Sequence, residues 1–185
     1  MDKYNIPYVK TFEYTKIIGI DNIQFGKYII IDDFVLIYAK NKIKFGNYIH
    51  ISSYSSITGP GELIMEDFSG LSSGVRIVTG SDDFKGQGFG NPAIAEKFRN
   101  VKSGNISIGR FAIIGANSVI LPDVHMGEGV AVAAGSVVSK DLEAWGIYAG
   151  NRRIGERDKK GILENYSSFL ACAEKERLGS LFRTK

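Results

Sequence analysis

Residues Ile108–Leu142 read IGRFAIIGANSVILPDVHMGEGVAVAAGSVVSKDL, and a step of six from Ile108 meets Ile114, Ile120, Met126, Val132 and Val138, apolar every time. Two residues before each of these stand Ile106, Ala112, Ser118, Val124, Val130 and Ser136, which are apolar or small. Inward residues spaced by two are the mark of β structure. A break every sixth residue leaves stubs too short for a hairpin sheet. A chain that turns by a third of a circle per hexad satisfies both facts. Three hexads then close one triangular coil, and stacked coils bury aliphatic ladders along the axis. The lattice continues upstream through Phe25, Ile31 and Ile37, then Phe45, Ile51 and Ile57, then Met65, Leu71 and Ile77. These triplets start 20 residues apart, so two extra residues fall in each coil. Asn41-Lys42 and Gly59-Pro60-Gly61 are the expected corner loops. Tight corners also account for the 22 glycines.

The Ile108–Leu142 stretch resembles the hexapeptide-repeat acyltransferases, and the resemblance covers residues 20 to 157. It implies an all-β fold, a left-handed parallel β-helix with an external loop and a C-terminal α-helix. The run Trp145-Gly146-Ile147-Tyr148-Ala149-Gly150-Asn151-Arg152 is similar to the sugar acetyltransferase branch, of the galactoside acetyltransferase type. That branch usually reads AGNPAR, and this chain lacks the PA. The resemblance further implies acetyl-CoA as co-substrate and a homotrimer with active sites between subunits.

Composition removes several other classes. Two histidines, His50 and His125, cannot form a three-histidine metal site within one subunit. They are also too few for a β-helix carbonic anhydrase, which the fold would otherwise allow, and no metal is expected. Cys172 is the lone cysteine, so an intrachain disulfide and a cysteine zinc site are both excluded. No run approaches the roughly 18 apolar residues of a membrane span. The opening MDKYNIPYVK has no apolar leader region, and a cytoplasmic location is expected. The net charge of +3 carries no basic stripe, so nucleic acid is not an expected partner. From Arg152 onward nine Lys/Arg face five Asp/Glu, a modest basic tail that suits either a phosphate-rich ligand or a solvated helix face.

Three segments follow from the lattice: an N-terminal cap over 1–16, the β-helix over 17–152, and a C-terminal helical segment over 153–185. A loop over 81–105 interrupts the lattice between Ile77 and Ile106. In the family such a loop reaches over a neighbouring subunit's active site, and Phe84, Phe89 and Phe98 give it rings to pack with. Ile162, Leu163, Tyr166, Phe169, Leu170, Cys172 and Ala173 recur at helical spacing. This helix is expected to close the open end of the coil stack, with Cys172 in its packed face.

Acyl transfer from a thioester needs a base for the acceptor, a donor for the oxyanion and a slot for the carrier. His50 precedes the inward Ile51 and therefore points outward, beside the hydroxyls of Ser52, Ser53 and Tyr54. In the family the catalytic histidine lies five residues after the third lattice residue of a coil. That position is Asp82 here, and the family's partner asparagine falls on Ser52. The expectation is His50 as base, oriented by Asp82 or Asp83 across the subunit interface, with Ser52, Tyr54 and Asp83 around the acceptor. His125 is the rival, in the column of Asp82 one coil on and about 4.8 Å away. A third possibility uses no histidine, with Asp82 or the substrate itself taking the proton. For the donor, the resemblance points to Ala116 and Ala134 along the pantetheine arm and to Lys140, Arg152 and Arg153 at the phosphates. The expected reaction is acetyl transfer to a sugar hydroxyl of a polysaccharide or glycoside. The alternative is N-acetylation of a nucleotide-linked amino sugar, for which Lys85, Lys97 and Arg99 are candidate phosphate ligands. A catalytically silent β-helix scaffold is the second alternative.

Overall fold

The computed structural model describes residues 3–182 of the 185. Short strands stack into three parallel sheets that form the faces of a triangular prism. The first face runs through Val9–Thr11, Ile29–Ile31, His50–Ile51, Gly70–Leu71, Ile113–Ile114, Ala131–Val132 and Gly146–Ala149. The second runs from Lys16–Ile18 through Leu36–Tyr38, Ser56–Thr58, Arg76–Val78 and Val119–Ile120 to Val137–Val138. The third holds Ile23–Gln24, Ile43–Phe45, Leu63–Met65, Ile106–Ile108 and His125–Met126. Register follows the lattice: Ile31 pairs with Ile51, Ile51 with Leu71, Leu71 with Ile114 and Ile114 with Val132. The 81–105 interruption is thus looped out with the ladder unbroken. Of the lattice residues only Phe25 is part-exposed; the others are buried in one continuous core. The architecture is the left-handed β-helix.

Parallel pairing begins eight residues before the expected start of the helix. Val9–Thr11 pairs with Ile29–Ile31, so the segment assigned to the cap already contains the first strand. The hexad register misses it because Thr11 and Thr15 fill inward positions where an aliphatic residue is the rule; both are buried. Residues 1–2 of that cap lie outside the described residues. At the other end Arg152–Glu156 returns antiparallel to Gly146–Ala149, a hairpin rather than the start of a helix. Helix α1 then spans Lys159–Ala171, capped by Asp158 accepting from the Gly161 amide, and α2 spans Glu174–Arg177. The expected helix over 161–183 is therefore two, and residue 183 lies outside the described residues.

The destination of α1 also differs from the expectation. It lies along a corner of the prism instead of across its end. Tyr8, Tyr28, Tyr48, Phe68 and Phe111 occupy the corner between the third and first faces, all with left-handed backbone, φ 56 to 62°. Such a conformation costs about 1–2 kcal/mol at a non-glycine residue. The rings offset that cost by packing in a ladder, with Tyr48 stacked on Phe68 at 4.8 Å. Tyr166 and Phe169 of α1 then meet Phe68 edge-on at 5.5 and 5.3 Å, so the helix seals the ladder. Cys172, expected in that packed face, follows α1 and is exposed.

The loop over 81–105 leaves the corner between the second and third faces, where the extra residues of each coil also sit. It starts as a two-stranded antiparallel ribbon, Gly80–Ser81 against Lys102–Ser103. Arg99 Nη2 meets Asp82 Oδ1 at 3.1 Å and closes its base. Phe84, Phe89 and Phe98 are all exposed on it.

Candidate active site

The first face positions the candidate cluster. Ile51 is buried, which turns the neighbouring His50 and Ser52 outward by strand alternation. One coil below, Ile31 does the same for Asp32. The coil offset of 20 residues sets Asp32 beside Ser52, and His50 reaches it diagonally. Asp32 Oδ2 lies 3.0 Å from His50 Nε2 and 3.3 Å from Ser52 Oγ, accepting from both. Ser52 Oγ lies 3.1 Å from Ser73 Oγ in the coil above. The result is a connected row of carboxylate, imidazole and two hydroxyls on a part-exposed surface. With Nε2–H directed at the carboxylate, the imidazole keeps Nδ1 as its proton-accepting atom, a tautomer assigned from this network.

A cavity of about 280 Å³ opens beside His50. Tyr28, Ile30 and Tyr48 form its floor, and Leu178 to Phe182 its roof. The roof is held down where Tyr28 donates its hydroxyl to Glu174 and packs edge-on against Phe182 at 5.5 Å.

The remaining sequence-predicted residues fall in several places. Asp82 is engaged by Arg99 of its own chain, and Asp83 accepts the backbone amides of Lys85, at 2.7 Å, and Gln87. Those amides, Lys85 first, hold the Asp83 carboxyl below the ordinary aspartate range. Within one chain, the carboxylate on His50 is therefore Asp32, while Asp82 and Asp83 shape the loop. His125 stands on the third face, not the first, with Nδ1 2.9 Å from Ser107 Oγ. Tyr54 turns its ring outward at the corner between the first and second faces. Ala116 and Ala134 lie at that same corner, two and three coils farther along. Lys140 and Arg152 are exposed, and Arg153 is committed to Glu143 and Glu156 at 3.2 and 3.3 Å. Asp32 and Ser73 were not singled out from the sequence. The 20-residue coil repeat carries the signal for both, since it aligns Asp32, Ser52 and Ser72 in one column and Asp33, Ser53 and Ser73 in the next.

Comparison with known proteins identifies the family. The family model described as bacterial transferase hexapeptide (six repeats) matches residues 105–140. The dTDP-4-amino-4,6-dideoxy-D-glucose acyltransferase of Escherichia coli is 38% identical over 168 residues, covering 89% of this chain and 87% of that protein. AntD, an N-acyltransferase from Bacillus cereus, has been solved as a serine-to-cysteine variant with dTDP-4-amino-4,6-dideoxyglucose and coenzyme A. That structure superposes with a TM-score of 0.82 at 35% identity, over 89% of this chain and 88% of the other. A further AntD structure, with dTDP and 3-hydroxybutyryl-CoA, gives 0.81 at 37% identity over 88% and 86%. With this likeness along nearly its whole length, and with its hexads closing into three parallel sheets, the chain belongs to the hexapeptide-repeat family of left-handed β-helix acyltransferases.

Proposed function

We propose that this protein transfers an acyl group from an acyl-CoA thioester to the amine of a dTDP-linked amino sugar. One observation carries the reading: the likeness to the Escherichia coli and Bacillus cereus enzymes covers 89% of this chain, far more than the repeats over 105–140. It favours the amine over the hydroxyl acceptor that the sugar acetyltransferase resemblance implies.

The chemistry asked of the site is modest. The free amine attacks the thioester carbonyl, an N–C bond forms, and the C–S bond breaks as the tetrahedral intermediate collapses. His50 Nδ1 takes the proton that leaves nitrogen, and the departing sulfur is protonated in turn. Asp32 holds the imidazole in the tautomer that leaves Nδ1 free. Ser52 and Ser73 extend the row as donors toward the acceptor or the developing oxyanion. The solved AntD variants alter one serine and, ten residues farther on, one aspartate. Ser73 and Asp83 keep that separation here, as do Ser72 and Asp82, and Ser73 is the serine whose hydroxyl meets the His50 row. Ala116 and Ala134 supply a narrow groove for the pantetheine arm, with Lys140 and Arg152 toward the phosphates. The working assembly is a homotrimer in which the 81–105 loop reaches the neighbouring subunit's first face.

Thiol release from acetyl-CoA tests the reading against a panel of dTDP-amino sugars, their hydroxyl counterparts and simple glycosides. Turnover is expected with the amines alone; turnover with hydroxyl acceptors alone overturns it. His50→Asn and Asp32→Asn are expected to lower kcat at least ~100-fold and ~10-fold. Near-wild-type turnover in His50→Asn removes His50 from the mechanism.

A further inference from the structure

The corner between the first and second faces carries a bare stack of rings. Tyr14, Phe34 and Tyr54 succeed one another by coil, with ring centroids 5.3 and 5.2 Å apart and planes within 2° and 3° of parallel. Their exposures are 58, 51 and 61%, whereas α1 packs on Tyr48, Phe68 and Phe111 at the corner between the third and first faces. Exposed rings in such a row have an unspent stacking face.

The row stops at a defined point. The next rung is Gly74, with φ +75°, and no ring follows Tyr54. A Cβ on Gly74 would fall 2.1 Å from Asn117 Oδ1, so the Asn117 carboxamide fills the root of this rung and stands beside the exposed ring of Tyr54. A cation is fixed at the same level: Arg76 Nη1 donates to the Tyr54 carbonyl at 2.7 Å, which spends one of five guanidinium donors. A flat ring face, a carboxamide beside it and an anchored arginine are the groups that recognise a nucleobase plane, its amide-like edge and a phosphate. Ser52 of the His50 row is two residues from Tyr54, at most about 7 Å of chain. Deoxyribose and two phosphates can bridge the remaining distance between a base on Tyr54 and a sugar amine at His50.

We infer that this corner is the nucleotide platform of the acceptor: a pyrimidine stacks on the exposed ring of Tyr54, Asn117 meets its edge, and Arg76 binds the diphosphate. The inference rests on the nucleotide-sugar reading above. It assigns Tyr54 a role through its ring, not through its hydroxyl.

Calorimetry with dTDP and with thymidine, neither of which reacts, tests the platform apart from turnover. Tyr54→Ala is expected to weaken dTDP binding at least about fivefold, Tyr54→Phe to keep it, and acetyl-CoA affinity to be unchanged in both. Arg76→Gln, which leaves the stack intact, is expected to weaken dTDP but not thymidine. Wild-type affinity for dTDP in both Tyr54→Ala and Arg76→Gln overturns the platform while leaving the function in place. Loss of the oligomer by light scattering in Tyr54→Ala, with dTDP affinity kept, overturns it in favour of a contact between copies. Failure of the wild-type protein to bind dTDP at millimolar concentration overturns the nucleotide-sugar reading and the platform with it.

Discussion

Asp83 shows how a single carboxylate can set the shape of the loop. It accepts the backbone amides of Lys85 and Gln87, and these hold its carboxyl below the ordinary range. A depressed folded value means that the contribution is complete above the unfolded value, about 4. It is lost as pH falls through the folded value, when protonation removes the acceptor. Hydrogen exchange at Lys85 and Gln87, corrected for the intrinsic rate, is therefore expected to gain relative to the lattice strands as pH drops below about 4. Protection that stays constant from neutrality to well below that range would refute the fastening role. The residues of the His50 row differ in how readily the sequence exposes them. His50 and Ser52 flank an inward isoleucine, and alternation alone turns them outward. Asp32 escapes because its link to His50 is diagonal between coils, and the hexad lattice states a residue's face, not its reach. Tyr54 is legible as an outward residue, yet only the stacked coils reveal that its ring lies parallel to that of Phe34.

At the scale of elements, the aromatic corner explains why α1 lies where it does. The helical spacing from Ile162 to Ala173 is plain in the sequence, but a spacing does not say which surface receives it. The receiving surface is written elsewhere, in Tyr28, Tyr48 and Phe68 at 20-residue steps. Those rings read as turn residues until the coils are stacked. Phe68 is the joint, meeting Tyr48, Phe111, Tyr166 and Phe169. Phe68→Ala removes four ring contacts and keeps the left-handed backbone, so a loss of about 2–3 kcal/mol in stability is expected. The loss should be local. Limited proteolysis should cut near α1 well before the lattice strands, and the cavity roof at Leu178 to Phe182 should loosen with it. Equal cleavage of wild-type and variant chains at α1 would show that the helix is held by something other than the ladder.

At the scale of the whole molecule, the prism sets the candidate cluster and the loop apart. His50, Asp32, Ser52 and Ser73 gather on the first face, whereas the 81–105 loop leaves the far corner and carries Phe84 at 93% exposure. In the homotrimer proposed above, these exposed rings would meet another copy, and the loop of one subunit would lie over the first face of the next. If Asp82 completes the neighbour's site, His50→Asn and Asp82→Asn chains are each inactive alone but complement each other when mixed. A site works when its face comes from an Asp82→Asn chain and its loop from a His50→Asn chain, which random mixing in a cyclic trimer produces in ~25% of sites. Refolding the two inactive variants together is therefore expected to restore about a quarter of wild-type activity, with neither variant recovering when refolded alone. An Asp82→Asn chain that is fully active alone removes Asp82 from the chemistry. Two inactive variants that stay inactive when mixed into the same trimer show that each site is built from a single chain, and the shared-site arrangement falls.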